Sequence, residues 1–76
     1  MISAYIFVVL KSAEVESIHI DKLVGMKGVV EAAKVYGIYD LVIKVKFKDI
    51  KELKNFVENL RKFKEIEKTA TMIIAD

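Results

Sequence analysis

Apolar and polar positions alternate along this chain with two different periods, and the switches between them outline six elements. Ile2 to Lys11 reads as a strand, with Ile2, Ala4, Ile6, Val8 and Leu10 on one face and Tyr5, Phe7 and Val9 on the other. Both faces are apolar, so neither is suited to water. Ser12 to about Val24 reads as a helix on a less regular stripe of Val15, Ile18, Leu23 and Val24, with Ile20 off it. Ser12 is placed as its N-cap, and Glu14 and Glu16 fall in the first turn, where carboxylates favour a helix. Gly25 and Gly28 bracket a break, and Val29 to Tyr36 follows as a strand whose Glu31 and Lys34 suit a sheet edge.

The second half of the chain is more regular. Tyr39 to Phe47 alternates cleanly, with Leu41, Ile43, Val45 and Phe47 facing a core and Asp40, Val42, Lys44 and Lys46 facing away. By the same count Tyr39 joins Phe47 on the core side, which leaves no aromatic platform of the kind an RNA-binding sheet displays. Asp49-Ile50-Lys51-Glu52 has the form of a capping box. Ile50, Leu53, Phe56, Val57, Leu60 and Phe63 then recur at helical spacing to about Lys62. Ile66 to Ala75 is the last strand, with Thr69, Thr71 and Ile73 on one face and Ala70, Met72 and Ile74 on the other.

The order strand–helix–strand–strand–helix–strand, with right-handed crossovers around a central hairpin, defines an α+β ferredoxin-like βαββαβ sandwich in a single domain, residues 1–76. Such a domain has helices for one sheet face only. The apolar second face of the first strand therefore predicts a dimer joined through the sheet, a dimeric α+β barrel.

Composition sharpens this expectation. Seventy-six residues form a small core, and hydrophobic residues at 54% are more than so small an interior hides. No cysteine is present to staple the fold or to supply thiolate ligands, so the surplus again points to burial between subunits. Net charge is +2, but Lys44 to Lys68 carries nine basic residues against five acidic ones, and the rest of the chain four against six. Lys44, Lys46 and Lys48 could meet phosphate, though a solvated strand or pairing across a subunit boundary accounts for them more simply. The longest apolar run, Ala4 to Leu10, is seven residues, far short of the ~20 that span a bilayer. No membrane partner is expected, and no signal sequence precedes the first strand; the expected location is the cytoplasm. Abundant Lys, Glu and Ile with no Gln or Cys point to a thermophilic source.

Catalysis finds no support. His19 is a lone histidine with no metal-ligand companion, and Ser3, Ser12, Ser17, Thr69 and Thr71 have no base placed to activate them. An enzyme of the dimeric α+β barrel type would need a catalytic histidine or a cofactor site; none is read, and no cofactor is expected.

Candidate chemistry concentrates in Val35-Tyr36-Gly37-Ile38-Tyr39-Asp40. Gly37 lets backbone approach a ligand closely, and Asp40 offers an acceptor suited to an ammonium group. A carboxylate opening an apolar strand needs a partner, which is a backbone amide of the turn, a small ligand or a neighbouring subunit. With the hydroxyls of Thr69 and Thr71, this set suits a zwitterion such as an amino acid; on residue types alone, hydroxyls bonded within the sheet and a carboxylate fixing the turn explain it equally well.

The run from Val35 to Lys44, the Lys48-Asp49-Ile50 helix start and Glu67-Lys68-Thr69-Ala70-Thr71-Met72-Ile73-Ile74 together resemble the effector-binding (RAM) domain of the Lrp/AsnC regulators, over essentially the whole chain. The resemblance implies a non-enzymatic, amino-acid-responsive module in transcription regulation, whose dimers assemble into rings such as octamers. It implies effector contacts from Gly37, Ile38, Tyr39 and Asp40 in the hairpin and Thr69, Thr71 and Met72 in the last strand. Many members have a small or polar residue where Ile38 stands, so its bulk is expected to narrow the pocket. Because Met1 abuts the first strand, the expectation is a stand-alone RAM protein without the helix-turn-helix, and hence without direct DNA binding. The alternative is an interaction protein that co-assembles with full-length Lrp/AsnC regulators without sensing a ligand itself.

Overall fold

The computed structural model of the chain describes residues 1–11 and 20–75. The elements are β1 (Ile2–Leu10), α1 (Ile20–Val24), β2 (Val29–Lys34), β3 (Leu41–Phe47), α2 (Ile50–Leu60) and β4 (Ile66–Ile73). The four strands form one antiparallel sheet in the order β2-β3-β1-β4. This is the expected βαββαβ topology. The placements of Ser12, Glu14, Val15, Glu16, Ser17, Ile18 and His19 lie outside the described residues.

Register explains the core. β1 pairs with β3 so that Ala4, Ile6 and Val8 lie opposite Val45, Ile43 and Leu41, and all six are fully buried. Leu53, Phe56 and Leu60 of α2, spaced by three and four residues, cover them together with Leu23 of α1. Phe47 and Phe56 meet with ring centroids 5.3 Å apart and planes tilted by 44°, an arrangement favoured by the ring quadrupoles. The helix start is fixed as its sequence suggests: the Glu52 amide donates to Asp49 Oδ1 at 3.0 Å, and Glu52 Oε1 accepts from the Lys48 amide at 2.9 Å.

Several boundaries differ from the periodic reading. Ile20 packs against the core beside Leu23, whereas Val24 is exposed; the pair three residues apart defines the buried face of α1. Ile50 is half exposed, because at ~100° per residue it stands roughly a quarter turn from the arc of Leu53, Phe56 and Leu60. β2 stops at Lys34 and sits at a sheet edge. Its register jumps between Val29 and Glu31, so Val30 is an extra, exposed residue, a bulge that discourages edge pairing.

The other sheet face is bare of helix among the described residues. Tyr5 and Phe7 lie on it with Val42 and Ala70 opposite Phe7, and Lys44 and Met72 opposite Tyr5. The Lys44 ammonium stands 5.8 Å from the Tyr5 ring centroid, and Glu31 faces Lys44 from β2. No described helix is long and apolar enough to cross a membrane.

Gly28 and Gly37 both have positive φ, +91° and +138°, but their surroundings differ. A Cβ on Gly28 would come within 2.2 Å of the Phe47 ring, while one on Gly37 would meet nothing within 4 Å. Gly37→Ala should therefore cost only backbone strain, about 1–2 kcal/mol. Gly28→Ala should cost about 1–3 kcal/mol more, because Phe47 must shift. Urea denaturation of the two variants checks the ranking; equal losses would contradict it.

Candidate ligand site at the hairpin

The hairpin between β2 and β3 is closed by the Val35 amide donating to the Asp40 carbonyl at 2.9 Å. It projects Tyr36 and Ile38 into solvent, Ile38 being 85% exposed. Gly37 lies between them at the tip, and its positive φ makes the reversal possible.

Asp40 is tied to β1, not to its own turn. Its amide donates to the Val8 carbonyl at 2.8 Å, and its Oδ2 accepts from the Leu10 amide at 2.8 Å, across thirty residues of sequence. Backbone amides of a strand point along the sheet plane, so the carboxylate extends the β1–β3 pairing by one more hydrogen bond. This answers the need for a partner with a backbone amide, though one the turn itself does not supply. Leu10 sits where the β1–β4 register shifts, a place where a ladder amide otherwise risks losing its acceptor.

Tyr39 is displaced from its expected position. It does not join the core; its ring packs on Phe7 at 5.1 Å between centroids and 40° between planes, and Tyr5 follows at 6.5 Å from Phe7. Counting the β3 alternation back from Leu41 fails because β3 begins at Leu41, and Tyr39 lies two residues before it, outside the strand. Phe47 does join the core. An aromatic row therefore exists on the open face, contrary to the expectation from sequence.

The strand half of the predicted set divides between two faces. Thr69 and Thr71 lie opposite Val8 and Ile6 on the helix side, and Met72 lies opposite Tyr5 on the open side. Thr69 Oγ1 accepts from Arg61 Nε at 3.1 Å, a contact between the end of α2 and β4 that residue spacing did not reveal. Thr71 and Met72 are exposed. Asp40 and Thr69 both stand level with Val8, on opposite sides of β1, which sets them about two strand spacings, ~10 Å, apart. One copy of the chain thus brings Gly37, Ile38, Tyr39 and Asp40 together at the tip and Thr69 and Thr71 together on β4, but keeps β1 between the groups.

Comparison with known proteins gives these observations their family. Residues 3–76 match the Lrp/AsnC ligand binding domain, and the chain belongs to that family. It is 33% identical over 73 residues to the HTH-type transcriptional regulator FL11 of Pyrococcus furiosus, covering 96% of this chain and 48% of FL11. The chain thus spans about half the length of that regulator. Among solved structures, FFRP-DM1 superposes with a TM-score of 0.87 at 39% identity, covering 99% of this chain and 100% of that one. Protein PHS023 of Pyrococcus horikoshii superposes with a TM-score of 0.85 at 39% identity, covering 100% and 92%. The family is regulatory, not enzymatic.

Removing the Asp40 carboxylate leaves the half-buried Leu10 amide without its acceptor. Asp40→Ala should therefore destabilise the fold by about 1–3 kcal/mol. Asp40→Asn, which keeps an acceptor oxygen, should lose less. Thermal melting of both variants, with hydrogen exchange at the Leu10 amide, checks this; an unchanged melting temperature in Asp40→Ala would contradict it.

Proposed function

We propose that the chain is an oligomeric amino-acid-binding module that modulates amino-acid-responsive transcription. Its ligand contacts would come from Gly37, Ile38, Tyr39, Asp40, Thr69, Thr71 and Met72. The observation that carries this reading is the hairpin: an exposed glycine tip whose carboxylate is held firmly against β1, in a chain that matches the Lrp/AsnC ligand binding domain. An ammonium group meeting Asp40 would gain a charge-assisted hydrogen bond from an acceptor already oriented by Leu10. Because β1 separates Asp40 from Thr69, a small zwitterion reaching both kinds of residue needs a second copy, so binding and assembly are coupled in this reading.

The assembly itself is proposed to begin as a dimer through the open sheet face. Phe7, Tyr5, Tyr39, Val42, Ala70 and Met72 form an apolar patch there, and burying it against a like patch would remove large aromatic area from water. Dimers would then combine into rings, with an octamer as the family expectation. The second reading, co-assembly with full-length Lrp/AsnC regulators, rests on the same patch and on the likeness to half of FL11. In that reading the chain would occupy a regulator's interface with or without ligand.

Phe7→Asp should weaken self-association by about 2 kcal/mol or more, roughly thirtyfold, because a central aromatic anchor is replaced by a charge. Sedimentation should show the wild type as a dimer or larger at micromolar concentration and the variant shifted toward monomer; a wild-type monomer contradicts the assembly.

Calorimetry with the twenty amino acids tests sensing. Binding at or below millimolar concentration is expected for at least one, lost in Thr71→Val if the β4 hydroxyl takes part. No binding to a folded, assembled protein contradicts it and leaves co-assembly, which capture of a purified full-length regulator tests directly.

A further inference from the structure

The tip of the β2–β3 hairpin hangs on a single side chain. Its flanks are fixed, since the Val35 amide meets the Asp40 carbonyl and Asp40 is bonded to Val8 and Leu10 of β1. Between those flanks, residues 36–39 make no backbone–backbone hydrogen bond among the described residues. Tyr36, Gly37 and Ile38 are exposed, and a Cβ on Gly37 would meet nothing within 4 Å. A loop without ladder bonds, turning on an unpacked glycine, has little of its own to hold one shape. Tyr39 is the exception. It is half-buried, and its ring lies on Phe7 at 5.1 Å between centroids.

That anchor stands on the open sheet face and not on the core of the domain. Phe7 lies there with Val42 and Ala70 opposite it, and Phe7 is itself only half-buried. An aromatic pair left half in water grips a loop weakly, whereas the same pair sealed under apolar surface grips it firmly. The face also carries complementary charges of its own, Glu31 beside Lys44. A two-fold-related copy can present each of these to the other, which suits a like chain as the cover.

We propose that Tyr39 is a positioning residue through which assembly, ahead of any ligand, sets the order of the hairpin tip. A second copy on the open face closes over the Tyr39 and Phe7 rings, and the sealed pair fixes the backbone of Gly37 and Ile38. In a lone copy the tip is mobile. The inference rests on the dimer proposed above and refines one member of the proposed contact set: the Tyr39 ring serves Phe7, and its backbone serves the tip. An effector meeting a mobile tip loses affinity to the ordering of the loop, whereas an assembled tip is already set. Unassembled copies are therefore poor binders, although no ligand touches the open face.

Backbone nitrogen-15 relaxation on the full chain, with sedimentation under the same conditions, tests this without a ligand. In the wild-type dimer the Gly37 and Ile38 amides should have order parameters close to those of a rigid strand, about 0.85. Met72→Asp places a charge on the open face at an exposed position opposite Tyr5 and leaves the Tyr39–Phe7 pair intact. It should give a monomer in which the Gly37 and Ile38 values fall below about 0.6. Tyr39→Ala, measured where sedimentation shows a dimer, should give the same fall, and Tyr39→Phe, which keeps the ring, should retain the wild-type values. A rigid tip in monomeric Met72→Asp or in Tyr39→Ala overturns the inference, as does a mobile tip in the wild-type dimer. A wild-type monomer overturns the dimer and the inference together, whereas a dimer whose tip order ignores Tyr39 overturns the inference alone.

Discussion

A single layer of helices covers one face of the four-stranded sheet, and the other face carries an aromatic and aliphatic patch that no helix among the described residues covers. The described residues supply two helices, α1 and α2, against four strands. On the covered face, Ala4, Ile6, Val8, Leu41, Ile43 and Val45 are sealed under Leu53, Phe56, Leu60 and Leu23. On the open face, β1 repeats the same apolar character with Tyr5 and Phe7 in place of polar residues. A solvated antiparallel sheet would alternate apolar and polar side chains here. The departure falls on a central strand, where edge pairing gives no alternative use for it.

The hairpin is arranged around the same central strand. Asp40 bonds to the end of β1 on one side, and Thr69 pairs with Val8 on the other. Tyr39 folds down onto Phe7, so the tip and the open face are mechanically continuous. Through the Asp40 and Tyr39 contacts, the tip and the patch proposed for assembly share β1. In the function proposed above, that continuity would couple ligand occupancy to subunit association, since both would bear on Phe7 and the β1 terminus.

Much of this was legible in the sequence because it is local. The β3 alternation, the capping box at Asp49 and Glu52, the edge position of β2 and the two-sided apolar character of β1 all depend on residues within a few positions of one another. What escaped depends on distant partners. The acceptor role of Asp40 toward Leu10 spans thirty residues, and the Arg61–Thr69 bond depends on how the chain returns after α2. Tyr39 was assigned to the core by extending a period one step past the strand that imposes it. Ile20 falls off a stripe counted from Val15 and Ile18, and its packing follows instead from its place three residues before Leu23 in α1.

Intermolecular contacts across the open face are the most direct probe of whether a second copy covers it. In a sample mixing differently isotope-labelled copies, filtered nuclear Overhauser spectra report only contacts between copies. The account predicts cross-peaks from the Phe7 and Tyr5 rings of one copy to Val42, Ala70 and Met72 methyl groups of another. Finding those ring contacts solely within one copy, with Phe7 and Tyr5 freely accessible to a soluble paramagnetic probe, would contradict it.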